Sequence, residues 1–367
     1  MSPREALFRV LSGEPVSPVP VWLLFPYHPT GYYVDVRSHP AYRRVFDHSL
    51  EHGVVMLDRR KLGGPLHTKD VVRTEENVST QNGTVRRRYY EYKGTRIHED
   101  PPNGKKLLES EEDLEAFCAF PLQLDETELR DSLEAQVATY SRERGEFPLD
   151  RGAMMLDLGS PVNVLYHCSR VQEYAIWSIT QRDTVEDWLE RRMAQLEFTY
   201  RFCLERDLAD VYFLVGSELA APPLVSHETF QRWAVPYERK LVSLVHSYGK
   251  RVIVHFHGQI REVLADFAEI GPDALHTIEA PPVGNCTLDQ AFEATNEAIT
   301  LIGNVQYDEF RSLDPREMKG VVQAVLDEVG ERPFILSPTA GPFDESPPQR
   351  LIDNYIAFID AAMHGRS

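Results

Sequence analysis

The fold of this 367-residue chain is constrained most by a series of short apolar segments that alternate with helical segments. Parallel strands separated by helices give this pattern, and eight strand-helix units are typical of a (β/α)₈ barrel. The eight predicted strands are residues 21–25, 54–58, 154–159, 210–218, 252–257, 273–279, 299–304 and 333–337. A doubly wound sheet is the alternative, but it would need a G-x-G-x-x-G turn after an early strand, which the sequence lacks. We therefore predict an α/β fold, with one TIM-barrel domain over residues 1–367.

Two segments are predicted to lie outside this repeat. Ser2, Pro3 and Glu5 have the types and spacing of a helix N-cap, so an N-terminal extension should begin as a helix. Residues 70–99 alternate between apolar and polar side chains around Asn82-Gly83, which is a hairpin signal. We expect an inserted β-hairpin whose basic residues 86–88 face solvent or the contact of a homodimer.

Charge and cysteine content limit the partners. The formal net charge is −18, and no basic region offsets it, so we expect no nucleic acid and no membrane as partner. The four cysteines have no C-x-x-C spacing, and the first residues contain no apolar signal segment. We expect a cytoplasmic protein that binds a small molecule.

The fifth predicted strand carries the clearest chemical signal. Residues 249–258 read GKRVIVHFHG, and alternate side chains of a strand share a face. His255 and His257 should therefore lie beside Ile253 on the face that lines the barrel, at the carboxyl end of the strand. Two imidazoles in this position can bind a metal ion or act as an acid/base pair.

Other predicted strands also end in polar residues, and active sites of barrels lie at these ends. The candidates are Asp58, Asp157, Glu218, Glu279, Asn304, Gln306, Ser337 and Thr339, with Tyr27 and His28 after the first strand and Cys286 after the sixth. For each the structural alternative stays open, because Asp157 or Glu218 could cap a helix and Cys286 could be an inert core thiol. Similarly, Asn304 could bind loop amides, and Tyr27 and His28 could serve packing.

Several segments resemble the uroporphyrinogen decarboxylase superfamily. They are residues 4–15 and 19–22, 235–237 with 244–250, 301–304 and 336–338, so the resemblance extends over nearly the whole chain. It implies a (β/α)₈ enzyme that is either a cofactor-free decarboxylase or a zinc-dependent methyltransferase acting between corrinoid proteins and thiols.

The resemblance also separates these branches. True decarboxylases have an arginine-rich segment after the first strand, where this chain has FPYHPTGYY at residues 25–33. Methyltransferases carry His-X-Cys-Gly on strand five, which the HFHG of residues 255–258 matches with histidine for cysteine. Their further cysteine ligand falls at Ala340. The methyltransferase-like branch is therefore favoured.

The resulting hypothesis is metal-assisted one-carbon transfer, with a small substrate and a corrinoid protein as candidate partners. Zn²⁺ would be bound by His255 and His257, with Glu279 as ligand or base and Cys286 or Glu218 as further ligands. Asp157, Glu218, His257 and Glu279 would be catalytic. Tyr27, His28, Asn304, Gln306 and Thr339 would bind substrate. The alternatives are a decarboxylase that uses a histidine as general acid while Asp157 helps to hold the substrate, and a non-catalytic binding protein.

Overall fold

The strands form two separate sheets in the computed structural model, which describes residues 1–80 and 83–364. The strands of the described residues are β1 (Met56–Arg60), β2 (Val72–Thr80), β3 (Gly83–Tyr92), β4 (Thr95–Glu99), β5 (Gly152–Leu156), β6 (Val211–Val215), β7 (Arg251–His255), β8 (Ala274–Thr277), β9 (Thr300–Val305) and β10 (Phe334–Pro338). Seven of them, β1 and β5 to β10, pair in chain order, and every pair is parallel. This confirms the predicted α/β barrel class.

The first predicted strand closes the sheet between β10 and β1. Val21 bridges Leu336, and Trp22 bridges Val55, both in parallel orientation. The Trp22 amide donates to the Leu336 carbonyl at 2.9 Å, and the Val55 amide donates to the Val21 carbonyl at 2.8 Å. Residues 21–22 thus take the position of the eighth strand of the barrel, although this segment is too short to form a regular strand.

The strand residues separate into an inner and an outer core, as the alternation predicts. Ile253 of β7 packs inside the barrel with Trp22, Leu57 and Phe213. Val252 and Val254 belong to the outer core, where the helices cover the sheet. Helix α1 (Pro3–Val10) fills the amino end of the barrel with Leu7, so the open end lies at the carboxyl ends of the strands.

Helices connect the strands. The remaining α-helices are α2 (Arg43–Glu51), α3 (Glu111–Ala119), α4 (Glu126–Glu146), α5 (Val162–Cys168), α6 (Val171–Thr180), α7 (Arg182–Glu205), α8 (His227–Trp233), α9 (Val235–Ser247), α10 (Leu264–Ile270), α11 (Leu288–Ala294), α12 (Tyr307–Ser312), α13 (Pro315–Val329) and α14 (Gln349–His364). Short 3₁₀ helices span Pro101–Asn103, Leu149–Arg151, Ser217–Ala220 and Arg261–Val263. No helix of the described residues is long and apolar enough to cross a membrane.

Two helix starts follow the sequence signals. Ser2 caps α1 and forms the reciprocal capping box with Glu5. Ser226, of a residue type favoured at N-caps, caps α8 and accepts from the Thr229 amide. A single residue, Ala234, separates α8 from α9. Pro236 lies in the first turn of α9, where its missing amide hydrogen costs no hydrogen bond.

Residues 70–99 form an antiparallel sheet of three strands, β2, β3 and β4, rather than a two-stranded hairpin. The Asn82 of the predicted turn lies outside the described residues. Arg86, Arg87 and Arg88 form ion pairs with Glu75, Glu76 and Glu99 of the same segment and with Asp100, which directly follows it. Their charge is thus matched locally, and the homodimer contact stays a prediction.

Candidate active site at the open end of the barrel

A cavity of about 910 Å³ opens at the carboxyl ends of the strands. Its floor is the inner core, to which Trp22, Met155 and Phe213 contribute. Its walls carry side chains from the ends of β1, β6 and β7, from α4 and from the loops at residues 24–33 and 340–343. This position is that of the active site in barrel enzymes.

His255 reaches the cavity from the end of β7 and is held from behind by a second histidine. Its Nδ1 lies 2.8 Å from Nδ1 of His276, the residue paired with it on β8. Burial, with the neighbouring imidazoles, keeps the pKa of His255 well below its usual value, and burial lowers that of His276 to about 3. Both rings are therefore neutral near pH 7.

The contacts of the two rings indicate which nitrogen of each carries the proton. Nε2 of His276 faces the carbonyl oxygen of Pro338 at 3.4 Å, and a carbonyl only accepts. A neutral His276 protonated at Nε2 accepts at Nδ1, so His255 donates from its Nδ1. This leaves Nε2 of His255 with a free lone pair, the form that binds a metal ion or takes up a proton.

His257 is likewise backed, in its case by Glu279. Its Nδ1 lies 3.4 Å from Glu279 Oε1, while the Gly258 amide donates to Oε2 at 2.6 Å. Burial alone would lower the pKa of His257, but the contact with Glu279 outweighs it and raises this pKa. The pKa of Glu279 is lowered, because the contact with His257 outweighs its burial. The ring centroids of His255 and His257 are 4.5 Å apart.

Glu218 brings a carboxyl group to the same wall. It follows β6 in the 3₁₀ helix Ser217–Ala220, where burial raises its pKa although His257 draws it downward. Its Oε2 is shielded from solvent and has no hydrogen-bond partner among the described residues. The turn depends on Gly216, which has φ 116° and whose added Cβ would lie 1.9 Å from Asn163 Oδ1.

Asp157 does not line the cavity but holds Arg59, which does. Arg59 donates through Nε to Asp157 Oδ2 at 2.9 Å, and the Gly159 amide donates to Oδ1 at 3.1 Å. The guanidinium carbon of Arg59 lies 5.3 Å from the ring centroid of Phe213. An arginine oriented in this way can bind an anionic group of a substrate.

Three consecutive basic residues, Arg59, Arg60 and Lys61, line the cavity. Their carboxylate partners are close, since Arg60 Nε lies 3.0 Å from Glu143 Oε2 and Lys61 Nζ lies 3.5 Å from Asp157 Oδ2. The cavity is therefore lined by positively charged side chains although residues 25–33 contain no arginine, but each of these side chains has an acidic neighbour.

Aromatic side chains form the rim. Tyr33 packs against Tyr32 and Phe343, with ring centroids 4.9 and 5.2 Å away. Burial raises the pKa of Tyr33 to about 12, so its hydroxyl stays protonated. Tyr32 is 68% exposed and Phe343 is 42% exposed. Such rings at the mouth of a pocket can cover the apolar part of a ligand.

Tyr27 and His28 lie behind the wall rather than in the cavity. Both backbone amides donate to Asp58 Oδ1, at 2.7 and 3.1 Å, and His28 Nδ1 lies 2.7 Å from Asp58 Oδ2. The Tyr27 ring is covered by the Arg37 guanidinium, 3.8 Å from its centroid. In this arrangement both residues attach the loop to β1.

The remaining substrate-binding candidates also lie outside the cavity lining. Asn304 and Thr339 are buried, and the Thr339 hydroxyl donates to Gln306 Oε1 at 3.1 Å. Gln306 caps α12 through a reciprocal contact with Glu309. Gln306 and Thr339 thus connect the ends of β9 and β10, where Asn304 lies opposite Ser337 in the strand register.

Cys286 lies apart from the two histidines. Its thiol donates to the Thr287 carbonyl at 3.1 Å, and burial raises its pKa to about 11, which disfavours the thiolate that binds metal. Ala340, by contrast, lines the cavity with His255 and His257. The methyl group of alanine thus occupies the wall where the family resemblance places a cysteine.

The donor chemistry of the cavity fits zinc. His255 presents a free Nε2, His257 is backed by a carboxylate, and Glu218 has an unpartnered oxygen, so two imidazoles and a carboxylate face one space. Both Glu279 oxygens are engaged, which makes it an orienting group for His257 in this arrangement. Among the described residues the ligand atoms of this set do not all lie within 4.8 Å of one another, so binding by all three would require side-chain movement.

Sequence reasoning missed Arg59 and His276. The predicted strand ended at Asp58, whereas β1 continues to Arg60, which brings Arg59 to the inner face beside Leu57. His276 was visible inside the sixth predicted strand. Its register opposite His255 on the neighbouring strand is the signal that could have identified it.

Comparison with known proteins bears on the family and the fold of the chain. A model of the uroporphyrinogen decarboxylase (URO-D) family matches residues 110–364. None of the curated proteins matches the chain. A methyltransferase from Methanosarcina mazei is similar in structure, with a TM-score of 0.60 at 18% identity over 99% of this chain and 98% of that one. A B12-independent methionine synthase from Shewanella sp. W3-18-1 has a TM-score of 0.46 at 10% identity, over 95% and 94% of the two chains.

Proposed function

The chain belongs to the uroporphyrinogen decarboxylase family, and we propose that within this family it transfers a methyl group to or from a small molecule bound in the barrel cavity. The observation that carries the proposal is the pair of imidazoles, His255 and His257, which face the cavity while His276 and Glu279 engage their Nδ1 atoms. This is how proteins orient histidine ligands toward a metal ion.

The proposed metal is zinc, held by His255, His257 and Glu218. When bound, it would act as a Lewis acid that lowers the pKa of a thiol or hydroxyl group, so that this group can accept or release a methyl group. His276 and Glu279 fix the two rings. The raised pKa of Glu218 means that it has to lose its proton before it can serve as a ligand.

The other groups of the cavity indicate how a substrate would be oriented. Arg59, held by Asp157, would bind an anionic end of the substrate, and the rim of Tyr32, Tyr33 and Phe343 would cover an apolar part. Hence we propose a substrate with an acidic group and an apolar portion that fits within about 910 Å³. A corrinoid carried by a partner protein is the proposed methyl donor or acceptor.

The test is methyl transfer from methylcobalamin to a series of thiols and hydroxyl compounds, with untagged protein in the presence and absence of zinc. The cobalt keeps both electrons of the broken carbon-cobalt bond, so the change in its absorption spectrum reports each transfer. We expect zinc-dependent transfer by wild type and loss in His257→Ala. His246→Ala is the matched control, because His246 lies on α9 and pairs with Asp273. Equal transfer by His257→Ala and wild type would contradict the proposal.

A cofactor-free decarboxylase of a small carboxylate is the second candidate, and Arg59 is the observation that favours it. Arg59 could bind the carboxylate, and His257, whose pKa is raised, could protonate the carbanion that remains after loss of CO₂. Release of CO₂ that survives a chelator and is lost in Arg59→Met would support this candidate. For uroporphyrinogen itself, which carries eight carboxylates, we expect no turnover, since residues 25–33 contain no arginine and Arg60 and Lys61 already have acidic partners.

A further inference from the structure

A second cluster of potential metal ligands lies on the outside of the barrel. His48 is in the last turn of α2, His52 follows the end of this helix, and Asp360 is on α14. One ligand atom from each residue lies within 4.8 Å of the others, and in residues 1–80 and 83–364 no other trio of such side chains does so. None of the three lines the cavity.

The local contacts prepare His52 to act as a ligand. His52 Nδ1 lies 3.0 Å from the His48 carbonyl oxygen, which can only accept, so this nitrogen carries the proton in the neutral ring. Its Nε2 then has a free lone pair. The two rings lie side by side, with centroids 4.0 Å apart and planes tilted by 36°, because the C-cap residue His52 comes four residues after His48.

The charges around His48, His52 and Asp360 favour the binding of a cation. His48 Nε2 lies 2.8 Å from Asp360 Oδ1, so a carboxylate is already directed at the imidazole pair. The carboxyl end of α2 adds the negative end of the helix dipole. Lys319 opposes this, but its Nζ is 3.8 Å from Asp360 Oδ2 and its side chain is 52% exposed, so it can turn toward solvent.

We propose that His48, His52 and Asp360 form a binding site for a divalent transition-metal ion, with zinc as the best match. Two imidazoles four residues apart with a carboxylate are an established donor set for zinc, and here the second imidazole comes from the C-cap residue of α2. The fourth position would hold water. Binding of the ion would displace the hydrogen between His48 Nε2 and Asp360 Oδ1, and the neutral His48 ring would then carry its proton on Nδ1. The ion thereby joins α2, which precedes β1, to α14, which follows β10.

Such an ion would connect the two edges of the barrel sheet, β1 and β10, at the place where the barrel closes. Residues 21–22 close the sheet between β10 and β1 with only two bridges, and α2 and α14 belong to these two edges. Two contacts, Arg44 Nη1 to Asp353 Oδ1 at 3.1 Å and His48 Nε2 to Asp360 Oδ1 at 2.8 Å, already join the two helices. The metal would replace the second contact by a stronger connection that includes His52, and so it would stabilise the closed barrel against unfolding from its ends.

A helix contact without metal is the competing explanation, and His52 distinguishes the two. The hydrogen bond between His48 and Asp360 joins the helices by itself, and His52 takes no part in it. Replacing His52 by alanine should therefore remove a metal ligand while leaving the contact between the helices in place.

The experiment is equilibrium dialysis of untagged protein against zinc, combined with the thermal midpoint of unfolding. We expect His52→Ala to bind one zinc ion fewer per chain than wild type, and zinc to raise its midpoint less. His246→Ala should behave as wild type in both measurements. His257→Ala should retain the ion at His52, which separates this site from the proposed catalytic one.

Asp360→Asn provides an independent test if His52→Ala lowers the midpoint even without zinc. The asparagine oxygen can still accept from His48, but the ligand charge is gone, so one bound ion should again be lost. The proposal is overturned if both variants bind as much zinc as wild type, or if wild type binds no ion that depends on His52.

Discussion

Nδ1 of His255 on β7 lies 2.8 Å from Nδ1 of His276 on β8, so two neutral imidazoles share one hydrogen. The His276 ring is also in contact with Trp22, with centroids 5.1 Å apart, which places it at the boundary between inner core and cavity. Through this hydrogen bond, a residue that does not line the cavity decides which nitrogen of His255 faces the substrate.

We expect His276→Ala to weaken zinc binding and methyl transfer by about 10- to 100-fold, since it removes the group that orients His255. Loss of the hydrogen bond should also cost about 1–3 kcal/mol of unfolding free energy. Zinc affinity, transfer rate and thermal midpoint are the measurements. Unchanged zinc affinity at a lowered midpoint would show that His276 is structural only.

Glu279→Gln tests how His257 is charged in the metal-free protein. The raised pKa of His257 contributes stability that is present below about pH 6.5, its unfolded value, and is lost as the pH rises through the folded value. The lowered pKa of Glu279 contributes stability that is present above about pH 4.5 and lost on acidification.

The interaction between His257 and Glu279 therefore stabilises the folded protein most between about pH 4.5 and 6.5. In this window we expect the variant to be less stable by roughly 0.5–1 kcal/mol, a small value because the His257 side chain is 43% exposed. The difference should vanish at higher pH in urea titrations performed with a chelator. A difference that is constant with pH would instead indicate the lost contact with the Gly258 amide.

The barrel and the His255 face followed from the sequence because they depend on local patterns. Alternation along β7 fixes which side Ile253 and His255 share, and a capping box such as that of Ser2 and Glu5 is formed within one turn. The contacts of His276, Arg59 and Asp157 depend on register between strands that are distant in sequence. A shift of two residues at the end of β1 was enough to hide Arg59.

Gly216→Ala should disturb the wall that carries Glu218. The new Cβ would lie 1.9 Å from Asn163 Oδ1 at a positive φ, so we expect a loss of about 1–3 kcal/mol in stability and a fall in zinc binding. Gly320→Ala is the matched control, because Gly320 lies in α13 with no atom within 4 Å of an added Cβ. It should be neutral or stabilise by about 0.5–1 kcal/mol. A wild-type zinc affinity in Gly216→Ala would argue against Glu218 as a ligand.

Glu238 is a completely buried carboxyl group on α9 behind the same wall. Burial raises its pKa to about 7, although Ser217 Oγ donates to it at 2.7 Å. Because the pKa of Glu238 is higher in the folded than in the unfolded protein, its contribution to the free energy of unfolding is fully present below about pH 4.5, the unfolded value. This contribution is lost as the pH rises through about 7, the folded value. Glu238→Gln avoids this ionisation.

We expect the advantage of Glu238→Gln over wild type to grow by up to about 3 kcal/mol between pH 4.5 and 8, since each pKa unit corresponds to about 1.4 kcal/mol. Urea titrations of both proteins across this range provide the measurement. A difference in unfolding free energy between the two proteins that does not change with pH would contradict the raised pKa of Glu238.

Ala340→Cys tests the metal site by adding a ligand. Ala340 lines the cavity with His255 and His257, so a thiol there would face the same space as the two imidazoles. A thiolate binds zinc more strongly than a carboxylate that first has to lose its proton at a raised pKa, as Glu218 does. We therefore expect Ala340→Cys to retain zinc at chelator concentrations that strip wild type. The double variant with His257→Ala should lose this gain if the new thiol and His257 bind the same ion. A cysteine that reacts freely with a thiol reagent in the presence of zinc, with unchanged metal retention, would place the ion elsewhere.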